Sequence, residues 1–214
     1  MTTLRSIGIF TIVLAAASLP ASAATVGYSI TIGTGGALNG TFDYPAFTLT
    51  NLSDPGTSIS SINFTIGDPT FNFDRVTNSI APAGGTMVRT IGDNANGGPR
   101  TDLFAFDFSG FDAGDFATWR AEIDPDSFNA ARDFRSVFFN NGGIVVPNSL
   151  VSVLFSDGFM LDLTLVDTGS ASSYTFSASH ETVSAVPIPA TLPLLAGAFG
   201  LLGLARLRSG RATA

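Results

Sequence analysis

Leu150-Val151-Ser152-Val153-Leu154-Phe155-Ser156-Asp157-Gly158-Phe159-Met160-Leu161-Asp162-Leu163-Thr164-Leu165 is two apolar runs joined through Ser-Asp-Gly. Asp-Gly supplies a tight turn and each run has strand length, so the stretch reads as a β-hairpin. In the second run Phe159, Leu161, Leu163 and Leu165 share one face, the expected core face. Asp162 and Thr164 fall on the other, in water.

The same period of two recurs along the chain. Thr25–Ile32 places Val26, Tyr28, Ile30 and Ile32 on one side, and Ser61–Ile66 and Leu103–Phe108 alternate likewise. Alternation of this kind marks half-buried strands. The 19 phenylalanines suit them, since aromatic rings pack well across a pleated face. Turn signals fall between the runs at Asp54-Pro55-Gly56, Ala83-Gly84-Gly85, Asn96-Gly97-Gly98-Pro99 and Asn140-Asn141-Gly142-Gly143. Only Phe128–Phe139 offers a helix, and a short one, with Asp126-Ser127 as its expected cap. Tyr174–His180 alternates as a last strand. Roughly nine to eleven short strands at this spacing predict an all-β fold, an antiparallel β-sandwich or jelly roll of a single domain.

The two ends of the 214-residue chain read differently from the middle. Arg5, the apolar run Ile7–Ala17 and the small-x-small triplet Ala21-Ser22-Ala23 have the form of a secretory signal peptide, residues 1–23, cleaved after Ala23. The β-domain then covers 24–183, a linker and short motif 184–190, an apolar helix 191–205 and a basic tail 206–214. Thr191–Ala205 is uncharged and would make about 22 Å of helix, shorter than the ~30 Å hydrocarbon core of a bilayer. Spanning therefore needs its approach residues or local thinning. Arg206, Arg208 and Arg211 supply the positive flank expected on the cytoplasmic side of a transmembrane helix.

Between the ends lie all seventeen acidic residues but six of the ten arginines, so the body carries a net of eleven negative charges. Nucleic acid and anionic membrane surfaces are repelled by such a body. There is no cysteine, which removes disulfides, thiol nucleophiles and thiolate metal sites.

Val186-Pro187-Ile188-Pro189-Ala190, a short hydrophobic helix and an arginine cluster form a tripartite ending. It resembles the VPLPA-type variant of PEP-CTERM sorting signals, with Ile188 where that motif has leucine. The resemblance covers about thirty residues. It implies an exported Gram-negative protein, anchored in the inner membrane by its helix. An exosortase-type membrane transpeptidase would then cut near the proline motif, and the protein would pass to the cell surface or extracellular matrix. Association with exopolysaccharide and biofilm is likewise what the resemblance implies. Physically, Pro187 and Pro189 hold an extended backbone at the membrane boundary, the form a transpeptidase site accepts. The alternative is a permanent single-span anchor whose prolines merely start the helix.

Catalytic signals are absent: His180 is the sole histidine, without a Ser or Asp partner at motif spacing, and no G-x-S-x-G occurs. No catalysis and no cofactor are expected. The densest polar stretch, Phe106–Asp126, holds Asp112, Asp115, Asp124 and Asp126, hard oxygen donors of the kind calcium takes. The two pairs sit at opposite ends of a strand about 26 Å long, so one ion cannot use both. The competing reading is that these residues cap turns. On that strand Trp119, Ala121 and Ile123 share a core-facing side, while Thr118, Arg120 and Glu122 share the other. The sequence thus predicts a surface or matrix protein. A glycan- or calcium-binding module is the alternative, and an extracellular hydrolase the third reading. Asn39-Gly-Thr41, Asn51-Leu-Ser53 and Asn63-Phe-Thr65 match the N-glycosylation sequon by chance.

Overall fold

A computed structural model describes residues 23–33, 44–92, 100–127, 132–139, 147–169, 172–182, 195 and 197–200. The quoted hairpin is present: strands β8 (Leu150–Phe155) and β9 (Met160–Thr164) pair antiparallel. Its turn is built as Asp-Gly chemistry requires. Asp157 Oδ1 accepts from the Phe159 N–H at 2.9 Å, and Gly158 takes φ +86°, a conformation costly for any residue with a Cβ. Val151, Val153 and Phe155 are buried, as is Leu165, and Phe159, Leu161 and Leu163 pack partly buried against the core.

The other strands are β1 (Ala24–Gly33), β2 (Ala46–Asn51), β3 (Ile59–Thr65), β4 (Phe71–Ile80), β5 (Thr86–Ile91), β6 (Leu103–Ser109), β7 (Phe116–Pro125) and β10 (Ser173–Thr182). They form two five-stranded antiparallel sheets, ordered β10-β1-β2-β7-β4 and β5-β6-β3-β8-β9. The pairings β5–β6, β4–β7, β3–β8 and β1–β10 nest one inside the next, and successive pairs alternate between the sheets. The first and last strands of the compact unit, Ala24–Thr182, therefore lie side by side, with Ala24 opposite Thr182.

The inner faces of the sheets share one aromatic core, a sandwich-like arrangement. Phe47 of β2 lies edge-on to Phe64 of β3 (5.4 Å) and Phe104 of β6 (5.5 Å), and Trp119 of β7 meets Phe104 and Phe106. Edge-to-face contacts of this kind add about 0.5–1.5 kcal/mol each beyond area burial. Tyr28 of β1 donates its hydroxyl to the Val151 carbonyl of β8 at 3.2 Å, a polar tie between the sheets.

The helix is shorter and later than its expected limits. Helix α1 (Phe134–Phe138) is capped by Asp133, whose carboxylate accepts from the Arg135 N–H at 3.0 Å. Asp126 and Ser127 lie in a turn after β7, so the expected cap is corrected to Asp133. Phe134, Val137 and Phe138 are the residues α1 buries, and it stops where Phe139 leaves helical geometry. Burial of three side chains decides its position, not the strength of a cap.

Residues 1–22, the turn signals at 96–99 and 140–143, the motif Val186–Ala190 and Arg206, Arg208 and Arg211 lie outside the described residues. Leu195 and residues 197–200 have helical backbone. Among the described residues no helix is long and apolar enough to cross a membrane.

Candidate functional site

Asp112 and Asp115 sit in the loop between β6 and β7 and hydrogen-bond within it and to Ser58. Asp115 Oδ2 accepts from the Asp112 N–H (3.1 Å), the Asp115 N–H donates to the Asp112 carbonyl (3.0 Å), and Asp112 Oδ1 accepts from Ser58 Oγ (2.6 Å). At the far end of β7, Asp124 is buried opposite Asn72, and Asp126 Oδ1 accepts from Asn72 Nδ2 at 2.7 Å. Arg100 reaches the same end and donates to the carbonyls of Pro125 and Asp126 at 3.3 and 2.8 Å. The exposed Asp102 carboxyl is pushed above its ordinary range, first by partial desolvation and then by the Asp126 charge. Asn72 Oδ1 is buried without a hydrogen-bond donor among the described residues. Still, among the described residues no three His, Asp or Glu side chains gather into a set that could hold a metal ion. Calcium takes six to eight oxygens. The two pairs stand apart, with a guanidinium already at the second.

Trp119 belongs to the core: it is 1% exposed and stacks on Phe47 with rings 3° from parallel. Its Nε1–H has no acceptor among the described residues. His180 is exposed near the end of β10 and stacks on Phe159 at 4.7 Å.

The feature with the shape of a site lies on the outer face of the first sheet. Strand register puts Thr175, Thr31, Thr48, Thr118 and Ile80 in one transverse row across all five strands. The next row reads Ser177, Ser29, Thr50 and Phe116. On the other side stand Ser173, Gly33, Ala46, Arg120 and Thr77. Apart from Ile80, which follows a register shift in β4 and is itself exposed, these residues have inward-pointing neighbours along their strands and so face out. Of the three rows only Arg120 carries charge, in a chain whose net charge is −7.

A groove of about 390 Å³ opens in this face, walled by Ala46, Thr48, Thr118, Arg120 and Ile80, with buried Phe47 and Trp119 beneath. Its volume falls within the usual range for small-ligand sites. Arg120 is held by its flank. The guanidiniums of Arg75 and Arg120 lie 4.8 and 5.7 Å from the Tyr44 ring centre, Tyr44 bonds the Thr77 hydroxyl, and Arg75 pairs with Glu122 at 3.2 Å. Cation–π contact of this kind fixes a guanidinium while leaving its N–H groups available.

The sequence placed Thr118, Arg120 and Glu122 on one face opposite Trp119, and the structure agrees. It did not assemble the groove, because the rows exist only once β2, β7 and β4 are in register. The outward threonines at Thr48 and Thr50, two apart on one strand, were the available signal. Of the chance sequons, Asn51 is fully buried, and Asn63 is exposed on β3.

No family model, no curated protein and no solved structure matches this chain.

Proposed function

We propose that the chain is an exported cell-surface or extracellular-matrix protein without catalysis of its own, sorted through its C-terminal tripartite segment. The observation that carries the proposal is the order Val186-Pro187-Ile188-Pro189-Ala190, uncharged Thr191–Ala205, then Arg206, Arg208 and Arg211. That order follows a compact β-unit that ends at Thr182. In this reading residues 1–23 direct export and 191–205 form a transmembrane helix with the arginines on the cytoplasmic side. An exosortase-type transpeptidase cuts near the prolines, and the released body joins an exopolysaccharide-rich matrix. The nested strand pairing supports the jelly-roll form of the β-domain.

Intact mass of the mature protein from its native host tests the proposal. A mass that starts at Ala24 and lacks Arg206–Ala214 is the expected result. Retention of the basic tail would turn the segment into a permanent anchor, and retention of residues 1–23 would remove the export step.

The second reading, a glycan-binding module, is favoured by the groove beside Arg120. Calcium binding at Asp112/Asp115 or Asp124/Asp126 has a direct check in thermal melts. No rise in Tm at millimolar calcium would remove it.

A further inference from the structure

We infer that the groove on the outer face of the first sheet binds a neutral, extended, β-linked polysaccharide lying across the strands. Three observations converge on that ligand. The first is periodicity. Four threonines, Thr175, Thr31, Thr48 and Thr118, follow one another across four strands at ~4.8 Å spacing, close to the advance of one pyranose unit in an extended β-linked chain, with Ile80 closing the row. Each sugar laid along the row meets a fresh hydroxyl, and Thr31 and Thr175 already pair their hydroxyls at 2.9 Å. A hydroxyl both donates and accepts, which is what a chain of sugar hydroxyls requires of its partner.

The second is the wall chemistry. Ile80 is 61% exposed at one end of the row, and Phe116 is 56% exposed in the adjacent row. Apolar surface at these places suits the C–H faces of sugar rings. Arg120 presents fixed N–H donors to hydroxyl oxygens, held in place by Tyr44. The third is charge. A net charge of −7 repels an anionic polymer, whereas the rows around the groove are uncharged apart from Arg120. A neutral chain can approach without that penalty. An extended chain is required because a coiled one would leave the row after a single contact.

The inference rests on the export reading only in that it needs polysaccharide outside the cell. Binding in vitro and processing in the host fail independently of each other.

The test is affinity electrophoresis of the full chain in mild neutral detergent, through gels carrying hydroxyethylcellulose and, separately, alginate. Wild type should be retarded by the neutral polymer and not by alginate. Thr48→Val with Thr118→Val keeps β-branched shape and removes two hydroxyls, and should weaken retardation at least fivefold. Ser152→Val, on the outer face of the second sheet, should leave it unchanged. A parallel titration of wild type with cellohexaose needs no variant, because Trp119 is the sole tryptophan and lies beneath the groove. Its emission should shift on binding. Equal retardation of wild type and double variant, retardation by alginate alone, or an unchanged emission at saturating cellohexaose would each overturn the inference.

Discussion

The side-chain amide of Asn51 donates to the carbonyl oxygen of Phe111 at 3.0 Å, joining the end of β2 to the loop that enters β7. The same Nδ2 donates to the Thr57 carbonyl at 3.0 Å, and Oδ1 accepts from the Ser53 N–H at 3.0 Å. The backbone repeats the link, with the Asn51 N–H on Asp115 and the Gly114 N–H on Asn51. Asn51 is fully buried, so every one of these bonds replaces water.

Asn51→Ala should therefore cost about 2–3 kcal/mol, since the buried Ser53 N–H and the half-buried Thr57 carbonyl lose the Asn51 partner and the Phe111 carbonyl is left with the Ile59 N–H alone. Asn51→Asp should recover little, because it keeps the acceptor to Ser53 but loses both donors. Urea unfolding checks this: the midpoint should fall for both variants with an unchanged slope. A midpoint equal to wild type in Asn51→Ala would mean the loop is held by its backbone alone.

Phe47 touches both sheets and α1, with rings of Phe64, Phe104, Trp119 and Phe138 within 6.0 Å. Phe47→Ala should cost about 3–5 kcal/mol from lost transfer energy and the cavity left behind. Phe116→Ala removes a ring of equal size from an exposed position and should stay within about 0.5 kcal/mol. The comparison of the two unfolding midpoints isolates burial from residue type.

The strands that drew an expectation were legible where apolar inward positions alternate with polar outward ones, as in Val26, Tyr28, Ile30 and Ile32 against Ser29 and Thr31. The β8–β9 hairpin was legible because Asp157-Gly158 fixes its own turn. Pairing across the chain was not: β1 meets β10, and β4 meets β7 with two register shifts, so local sequence carries neither partner nor register. Strands β2, β4 and β5 drew no expectation, and the groove between β2 and β7 inherits that gap. Asn51 matched a surface sequon, while its buried hydrogen bonding depends on a loop sixty residues away. The cap of α1 was misplaced because Asp126 and Asp133 are equivalent in local propensity, and only the burial of Phe134 and Phe138 separates them.

Tyr28 ties the sheets through its hydroxyl, and burial, helped by the Asp162 charge, pushes its ionisation upward. An unfolded tyrosine ionises near pH ~10. The raised folded value means the neutral form is preferred in the native state. Stability from this group is thus whole below about pH 10 and is lost as pH rises towards the folded value. Tyr28→Phe should cost about 1 kcal/mol near neutrality for the lost bond. It should also flatten the alkaline loss of stability, measured by urea unfolding at about pH 8 and about pH 11. An unchanged alkaline slope would assign that loss to other groups.

Asp102 gives the opposite experiment at the acid end. Partial desolvation first, and the Asp126 charge second, raise the pKa of this exposed carboxyl, so the folded state holds this proton more tightly than the unfolded chain, where aspartate titrates near ~3.9. The contribution is favourable below that value and is lost as pH rises through the raised folded one, leaving an unfavourable carboxylate at neutrality. Asp102→Asn removes the charge and should raise Tm at about pH 7, with the advantage vanishing near pH ~3, where both forms are neutral. In an Asp126→Asn background the gain should shrink, because the second, smaller cause is gone while the bond from Asn72 Nδ2 keeps an oxygen acceptor. Thermal melts of the four proteins at both pH values decide it. A gain that persists unchanged in the Asp126→Asn background would leave partial desolvation as the whole cause.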